Sequence, residues 1–269
     1  MEPKFFPQDT TPLSSEHHAK LDQVDQWFAE HPSEDCQFPP VTSDEIRRTI
    51  SEMRALGAPG WDDITDLCLR HSSDLVVPYI KAIAEGSFKL HYFPSCWKEA
   101  QVIPLRKANR DPHTLGGYRP ISLLSVLGKV IENVVKSRLT HWLETHKKLS
   151  NHQFGFRRHR STEWAIWNFV AAASHAVKNR RQLWVVSLDM HAAYDTIWGP
   201  GLLLAMQRKA VPGYLIYWAQ SFINTRSASL QVGSANRRRH LELGVPQGSP
   251  LSPILFLLYV ESLLERVAA

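Results

Sequence analysis

Asp189 and Asp195 stand six positions apart with Tyr194 between them, directly after a short apolar run, Leu183-Trp184-Val185-Val186-Ser187-Leu188. A β-rich run that ends in an acid delivers a carboxylate to the end of a buried strand, where loops and ligands meet. By residue type this is a candidate metal or acid/base site. The same letters also describe a strand, a solvated Asp and a helix cap. Further along, Gly244-Val245-Pro246-Gln247-Gly248-Ser249-Pro250-Leu251-Ser252-Pro253 opens an apolar helix. A loop with free backbone amides at a helix N-terminus favours an anion such as a phosphate. A rigid capped turn would explain its glycines and prolines, but not Gln247.

Three other groups bear on chemistry. Lys107 and Arg119 fall near the tip and stem of a predicted hairpin, where they would grip a triphosphate or backbone phosphates, or simply keep a solvated edge soluble. Gln153-Phe154-Gly155-Phe156-Arg157-Arg158-His159-Arg160-Ser161-Thr162 interleaves aromatics with arginines, a pattern that stacks bases and neutralises phosphates. A run of charge is also what a solvated face looks like. Asp62-Asp63 is an acidic pair of the kind that holds metals. Following Pro59-Gly60 and preceding Ile64, Leu67 and Cys68, it is read more simply as a helix N-cap.

The elements that must position these residues follow from periodicity. Helices are expected over Leu13–Phe28, from Thr42 with Ile46, Ile50 and Met53 on one face, over Leu75–Leu90, Val126–Glu144, Trp164–Val177, Leu202–Arg208, Tyr214–Phe222 and Ile254–Val267. Thr42 with Glu45 three residues on forms a capping box. Strands are expected at Gln101–Lys107 and Tyr118–Leu123, joined as a hairpin, at Leu183–Leu188, and at Ala228–Val232 and Arg238–Leu243 around a turn at 233–236.

With 269 residues, 43% hydrophobic and 21% charged, the chain is long enough for a sizeable core. Its net charge of +5 suits a polyanionic partner without demanding one. Cys36, Cys68 and Cys96 show no paired metal spacing and read as reduced thiols. The N-terminus lacks the pattern of a secretory signal, and the longest apolar run, Ile254 to Val260, is too short to cross a bilayer. The expectation is a soluble intracellular protein with no membrane partner.

Taken in order, these stretches resemble the reverse transcriptase domain of non-LTR (LINE-type) retrotransposons, from about Ile46 to Val260. Gly57-Ala58-Pro59-Gly60-Trp61-Asp62 is similar to that family's N-terminal loop motif. Trp97-Lys98-Glu99-Ala100 with Ile103-Pro104-Leu105-Arg106-Lys107, then Tyr118-Arg119-Pro120-Ile121-Ser122-Leu123, resemble its first two fingers motifs. Gln153 to Arg157 with Arg160-Ser161-Thr162 resembles the next. Leu188-Asp189 through Ala193-Tyr194-Asp195 is similar to polymerase motif A, and Pro246 to Pro253 to motif B. Each is weak alone; six in the family's order carry the resemblance.

The resemblance implies an α+β, right-hand polymerase-like fold: helical fingers with a β-hairpin, plus a partial palm sheet. It divides the chain into an N-terminal extension (1–40), fingers (41–182) and partial palm (183–269). It implies RNA-directed DNA synthesis, with Mg²⁺-dependent transfer of a nucleotide from dNTP to a primer 3′-hydroxyl. Asp189 would be the catalytic carboxylate and, with the Met190 carbonyl, a ligand of a two-metal site. Lys107, Arg119, Ala193, Tyr194, Gln247 and Gly248 would contact the nucleotide, Tyr194 as the steric gate against a ribose 2′-hydroxyl. Gln153, Gly155, Phe156, Arg157 and Arg158 would line the template–primer path, and Asp195 would cap the following helix. RNA template, DNA primer and dNTP are the implied partners, and a nuclear location is favoured. No aspartate follows Asp195, so the acidic pair of motif C is expected to be missing and the metal site incomplete. Alternatives are a catalytically dead remnant that binds nucleic acid, or a group II intron maturase-like RNA-binding protein.

Overall fold

In the computed structural model, which describes residues 13–53, 57–232 and 235–268, the described chain forms nine α-helices and four strands, with the strands in two consecutive pairs. They are α1 (Ser15–Glu30), α2 (Ser43–Glu52), α3 (Asp66–His71), α4 (Ser73–Lys89), β1 (Glu99–Arg106), β2 (Tyr118–Leu123), α5 (Val126–Thr145), α6 (Thr162–Lys178), α7 (Gly199–Arg208), α8 (Gly213–Ile223), β3 (Arg226–Val232), β4 (Ala235–Leu241) and α9 (Ser252–Ala268). The fold is mixed α/β.

Local signals set most helix starts. Thr42 accepts from the Glu45 amide at 3.1 Å, as a capping residue should. The other half of the expected capping box does not form. Glu45 instead receives Arg138 of α5 bidentately, at 2.9 and 2.7 Å, and Arg138 also donates to the Pro39 carbonyl at 2.7 Å. A charge-assisted fork to a distant helix outcompetes a local bond to one amide. The reading of Asp62 or Asp63 as a helix cap is also corrected. Thr65 caps α3, accepting from Cys68 N at 3.2 Å. Asp62 accepts from Ile64 N at 3.3 Å and from Ser125 Oγ at 2.5 Å, pinning its turn to the start of α5.

The main core joins helices from both ends of the chain. Phe93 lies edge-on to Trp218 and Phe222 of α8 at 5.2 and 5.3 Å, and Phe88 lies edge-on to Tyr214 of the same helix at 5.7 Å. The buried Trp218 indole donates to Ser87 Oγ at 2.9 Å, so no polar group is stranded there. A smaller cluster of Ala100, Val102, Leu124, Ala228 and Leu230 lies against the sheet.

The sheet runs β2-β1-β3-β4. β1 and β2 form the expected antiparallel hairpin, with Leu105 opposite Arg119 and Ile103 opposite Ile121. β3 and β4 form the second expected hairpin, although residues 233–234 of its turn lie outside the described residues. What joins the hairpins is a parallel pairing of β1 with β3, from Glu99 opposite Ser227 to Val102 opposite Leu230. One sheet thus takes two strands from the 41–182 region and two from the 183–269 region.

The strand expected at Leu183–Leu188 does not form. Residues 182–190 have no regular structure and every side chain there is exposed, Trp184 at 86%. A strand is held by ladder bonds to a neighbour. Both edges of the sheet are hairpin partners, β2 and β4, and neither receives this run. The adjoining α6 is similarly uncovered, with Trp164, Trp167, Phe169 and Val170 exposed and Ala176 its one buried residue.

Candidate functional site

Three segments that sequence reading marked separately are sewn together by their backbones. Residues 191–196 form a turn, with Ala192 in the left-handed region and its carbonyl accepting from Asp195 N at 2.9 Å. The 244–250 loop lies against that turn: Val245 N donates to Tyr194 O at 2.8 Å, and Gly244 N to Ile197 O at 2.7 Å. On its other side the loop meets β2, where Ser122 N donates to Gln247 O at 2.9 Å. Gly248 has φ +148°, and a Cβ there would lie 2.2 Å from the Ser122 carbonyl. Only glycine permits that approach.

This stitching ties the turn that carries Ala193 and Tyr194 to the loop that carries Gln247 and Gly248, four of the residues expected at a nucleotide. The Tyr194 ring packs on Phe256 of α9 at 5.6 Å, and burial pushes its hydroxyl above the ordinary tyrosine range. Asp195 does not cap α7. The N-cap there is Trp198 and no side chain caps it. The turn keeps the Asp195 backbone against Gly244, and burial raises its carboxyl to about 6, opposed by His191.

Beneath the loop lies a buried ionic floor. Ser249 Oγ donates to Glu132 of α5, and accepts from Leu251 N and Ser252 N at 3.1 and 3.3 Å to start α9. Arg226, at the start of β3, is 1% exposed, as is Glu132. Arg226 Nη1 donates to Phe222 O at 3.1 Å and the guanidinium lies 4.7 Å over the Phe222 ring. Burial lowers Arg226 to about 10, with Glu132 opposing the shift. Lys98 shares this interior and donates to Thr225 Oγ1 at 3.3 Å; burial and the nearby Arg226 lower it. A cavity of about 30 Å³ opens between Asp195, Arg226, Ser122 and Val245.

The hairpin cations differ. Arg119 is exposed on β2, whereas Lys107 is half-buried and donates to Gly116 O at 3.2 Å, closing the loop before β2. Asp189 and Met190 sit on the exposed, irregular run. Among the described residues, no three His, Cys, Asp or Glu side chains come together to hold a metal ion.

In the aromatic and basic patch, the side chain of Arg157, expected along the template path, is turned into the protein. Its side chain is 7% exposed and grips Glu144 at 2.8 and 2.7 Å, with a further bond to Ser150 O at 2.6 Å. Arg157 in turn holds the Glu144 carboxyl below the ordinary glutamate range. A guanidinium forked to a carboxylate does not offer that same fork to a phosphate. Gln153 Oε1 accepts from Gly155 N at 3.1 Å, Phe156 is exposed with φ +52°, and Arg158 is exposed.

Two features escaped the sequence reading. Glu132 shares a helix face with Gly128, Val135 and Leu139, all buried, and a lone acid on an apolar face was the available signal. Arg237, Arg238 and Arg239 with His240 stand exposed on edge strand β4, where Arg238 meets Glu99 at 3.0 Å.

Comparison with known proteins completes the description. The family model described as reverse transcriptase (RNA-dependent DNA polymerase) matches residues 105–269. The chain is 29% identical over 264 residues to the RNA-directed DNA polymerase from mobile element jockey of Drosophila melanogaster, covering 98% of this chain and 28% of that protein. It is 30% identical over 221 residues to the jockey polymerase of Drosophila funebris, covering 82% and 24%. Against the probable RNA-directed DNA polymerase from transposon BS of Drosophila melanogaster it is 28% identical over 225 residues, covering 83% and 25%. The chain spans about a quarter of the length of these curated relatives.

Proposed function

Because the chain belongs to the reverse transcriptase (RNA-dependent DNA polymerase) family, we propose that it is the nucleotide-positioning part of a non-LTR retrotransposon polymerase. The proposed reaction adds a deoxynucleotide from dNTP to a primer 3′-hydroxyl on an RNA template, with release of pyrophosphate. The observation that carries this reading is the backbone stitching of the 191–196 turn, the 244–250 loop and β2. It gathers Ala193, Tyr194, Gln247 and Gly248 on one support. Phosphoryl transfer depends chiefly on positioning and charge, and a support of this kind supplies the positioning.

In this reading Tyr194 presents its ring to the sugar of the incoming nucleotide, Gln247 lies against it, and exposed Arg119 meets the triphosphate. Half-buried Lys107 acts first by closing the hairpin loop. Arg158, Phe156, Gln153 and Gly155 face the template–primer duplex, while Arg157 keeps their loop in shape. The 41–182 and 183–269 regions would serve as fingers and partial palm around the shared sheet. Asp189 and the Met190 carbonyl offer hard oxygen donors of the kind Mg²⁺ takes. One carboxylate is an incomplete set, and the described residues supply no cluster to complete it. Similarity to mobile-element polymerases favours this reading over a maturase-like one.

Equilibrium binding tests the reading on the chain itself. An RNA–DNA duplex should bind with an affinity that falls steeply as salt rises, and a dNTP should slow amide exchange at 247–248. A salt-independent affinity would contradict the proposal.

A further inference from the structure

Ser249 ties two distant parts of the chain together with one hydroxyl. Its proton goes to Glu132 Oε2 on α5, and its lone pairs take the amides of Leu251 and Ser252. The loop that precedes it is fixed on the opposite side, where Ser122 N donates to the Gln247 carbonyl. Gln247 is therefore suspended between β2 and α5, and Ser249 is the attachment on the α5 side. The carboxylate that receives it is 1% exposed, faced by Arg226 from β3 and by Lys129 from its own helix. A buried carboxylate is costly unless hydrogen-bonded and counter-charged, and an apolar residue of similar volume would stabilise a helix face as well or better. Packing alone does not account for a carboxylate at this position. Holding Ser249 and facing the buried Arg226 both do.

We infer that Glu132 is a positioning residue for the nucleotide site: through Ser249 it fixes the loop that carries Gln247. The inference rests on the reading of Gln247 as a nucleotide contact. Burial pushes the Glu132 carboxyl up to about 7 against the opposing influence of Arg226, Ser249 and Lys129. The neutral form is therefore well housed, and a glutamine, which still accepts from Ser249, should fold.

Hydrogen exchange on the full chain tests this by rescue. Glu132→Ala should speed exchange of the Ser249, Leu251 and Ser252 amides at least tenfold, Glu132→Gln should stay within about threefold of wild type, and exchange in α8 should change in neither. Ser249→Ala should also speed the loop, and the double variant Glu132→Ala/Ser249→Ala should be no faster than the faster single one, because both act on one bond. If Glu132→Ala does not fold, Glu132→Met, close in volume and uncharged, takes its place with the same expectation. Loop exchange within twofold of wild type in the Ala or Met variant, a Gln variant as fast as Ala, or multiplicative effects in the double variant would overturn the inference. A dNTP with Mg²⁺ that leaves exchange at 247–248 unchanged in wild type overturns the functional reading and not the Glu132–loop coupling, which the variants decide alone.

Discussion

The Val245 amide donates to the Tyr194 carbonyl at 2.8 Å, and this bond joins the turn after the Leu183–Leu188 run to the loop that opens α9. Gly244 sits at the seam with φ +87°, its Cα facing the carbonyls of Tyr194 and Asp195. Whatever moves the loop also moves the tyrosine, so the two act as one unit.

Gly244→Ala should therefore be costly. A Cβ there would meet both carbonyls at 2.8 Å, in a backbone conformation that disfavours L side chains. A loss of about 1–3 kcal/mol is expected, read as a lower urea midpoint. An unchanged midpoint would mean that the turn and the loop are not in contact in solution.

Arg157 and Arg158 should separate. Arg157→Ala removes the fork to Glu144 and should destabilise by roughly 1–3 kcal/mol. Arg158→Ala should leave stability within about 0.5 kcal/mol, yet reduce the salt slope of RNA–DNA duplex binding by about one. The opposite pattern, with Arg157 governing the salt slope, would restore it to the template path.

Glu132 predicts a pH dependence with a definite sign. Its carboxyl rises from 4.5 to about 7 on folding, so between those values the folded chain holds a proton that the unfolded chain has released. Stability from this group is present below 4.5 and lost as pH rises through about 7, by roughly 3 kcal/mol. Asp195, raised to about 6, slopes the same way, so the diagnostic quantity is the difference between wild type and Glu132→Gln. Urea midpoints from pH 4.5 to 7.5 should fall more for wild type; equal slopes would exclude a buried ionisable Glu132.

Tyr194→Ala should relax sugar selection in a protein that carries this chain within the length of its relatives. Ribonucleotide incorporation relative to deoxyribonucleotide should rise on the order of tenfold or more, while Tyr194→Phe should leave it unchanged. Unaltered selection in Tyr194→Ala would remove the ring from the sugar site.

Much of this arrangement was legible in the sequence because the signals are local. Helical spacing gave α1, α2, α5 and α9, and the two hairpins followed from short β-rich runs around turn residues. The β1–β3 pairing was not legible, because parallel partners more than a hundred positions apart leave no local trace. The Leu183–Leu188 run has the composition of a strand, but composition states a preference and not the presence of a partner. Arg157 and Arg158 are the same residue type in the same run. Only the distant placement of Glu144 beside one of them distinguishes a structural cation from a free one. Glu132 escaped notice although it lies on an apolar face, and its partner, Ser249, is 117 positions away.

The most direct test is RNA-templated primer extension by a protein carrying this chain within the length of its relatives, with DNA primer, Mg²⁺ and dNTPs. Template-dependent extension is predicted, falling by roughly a hundredfold or more in Asp189→Ala. No extension from the longer protein, or extension that survives Asp189→Ala, would contradict the proposed function.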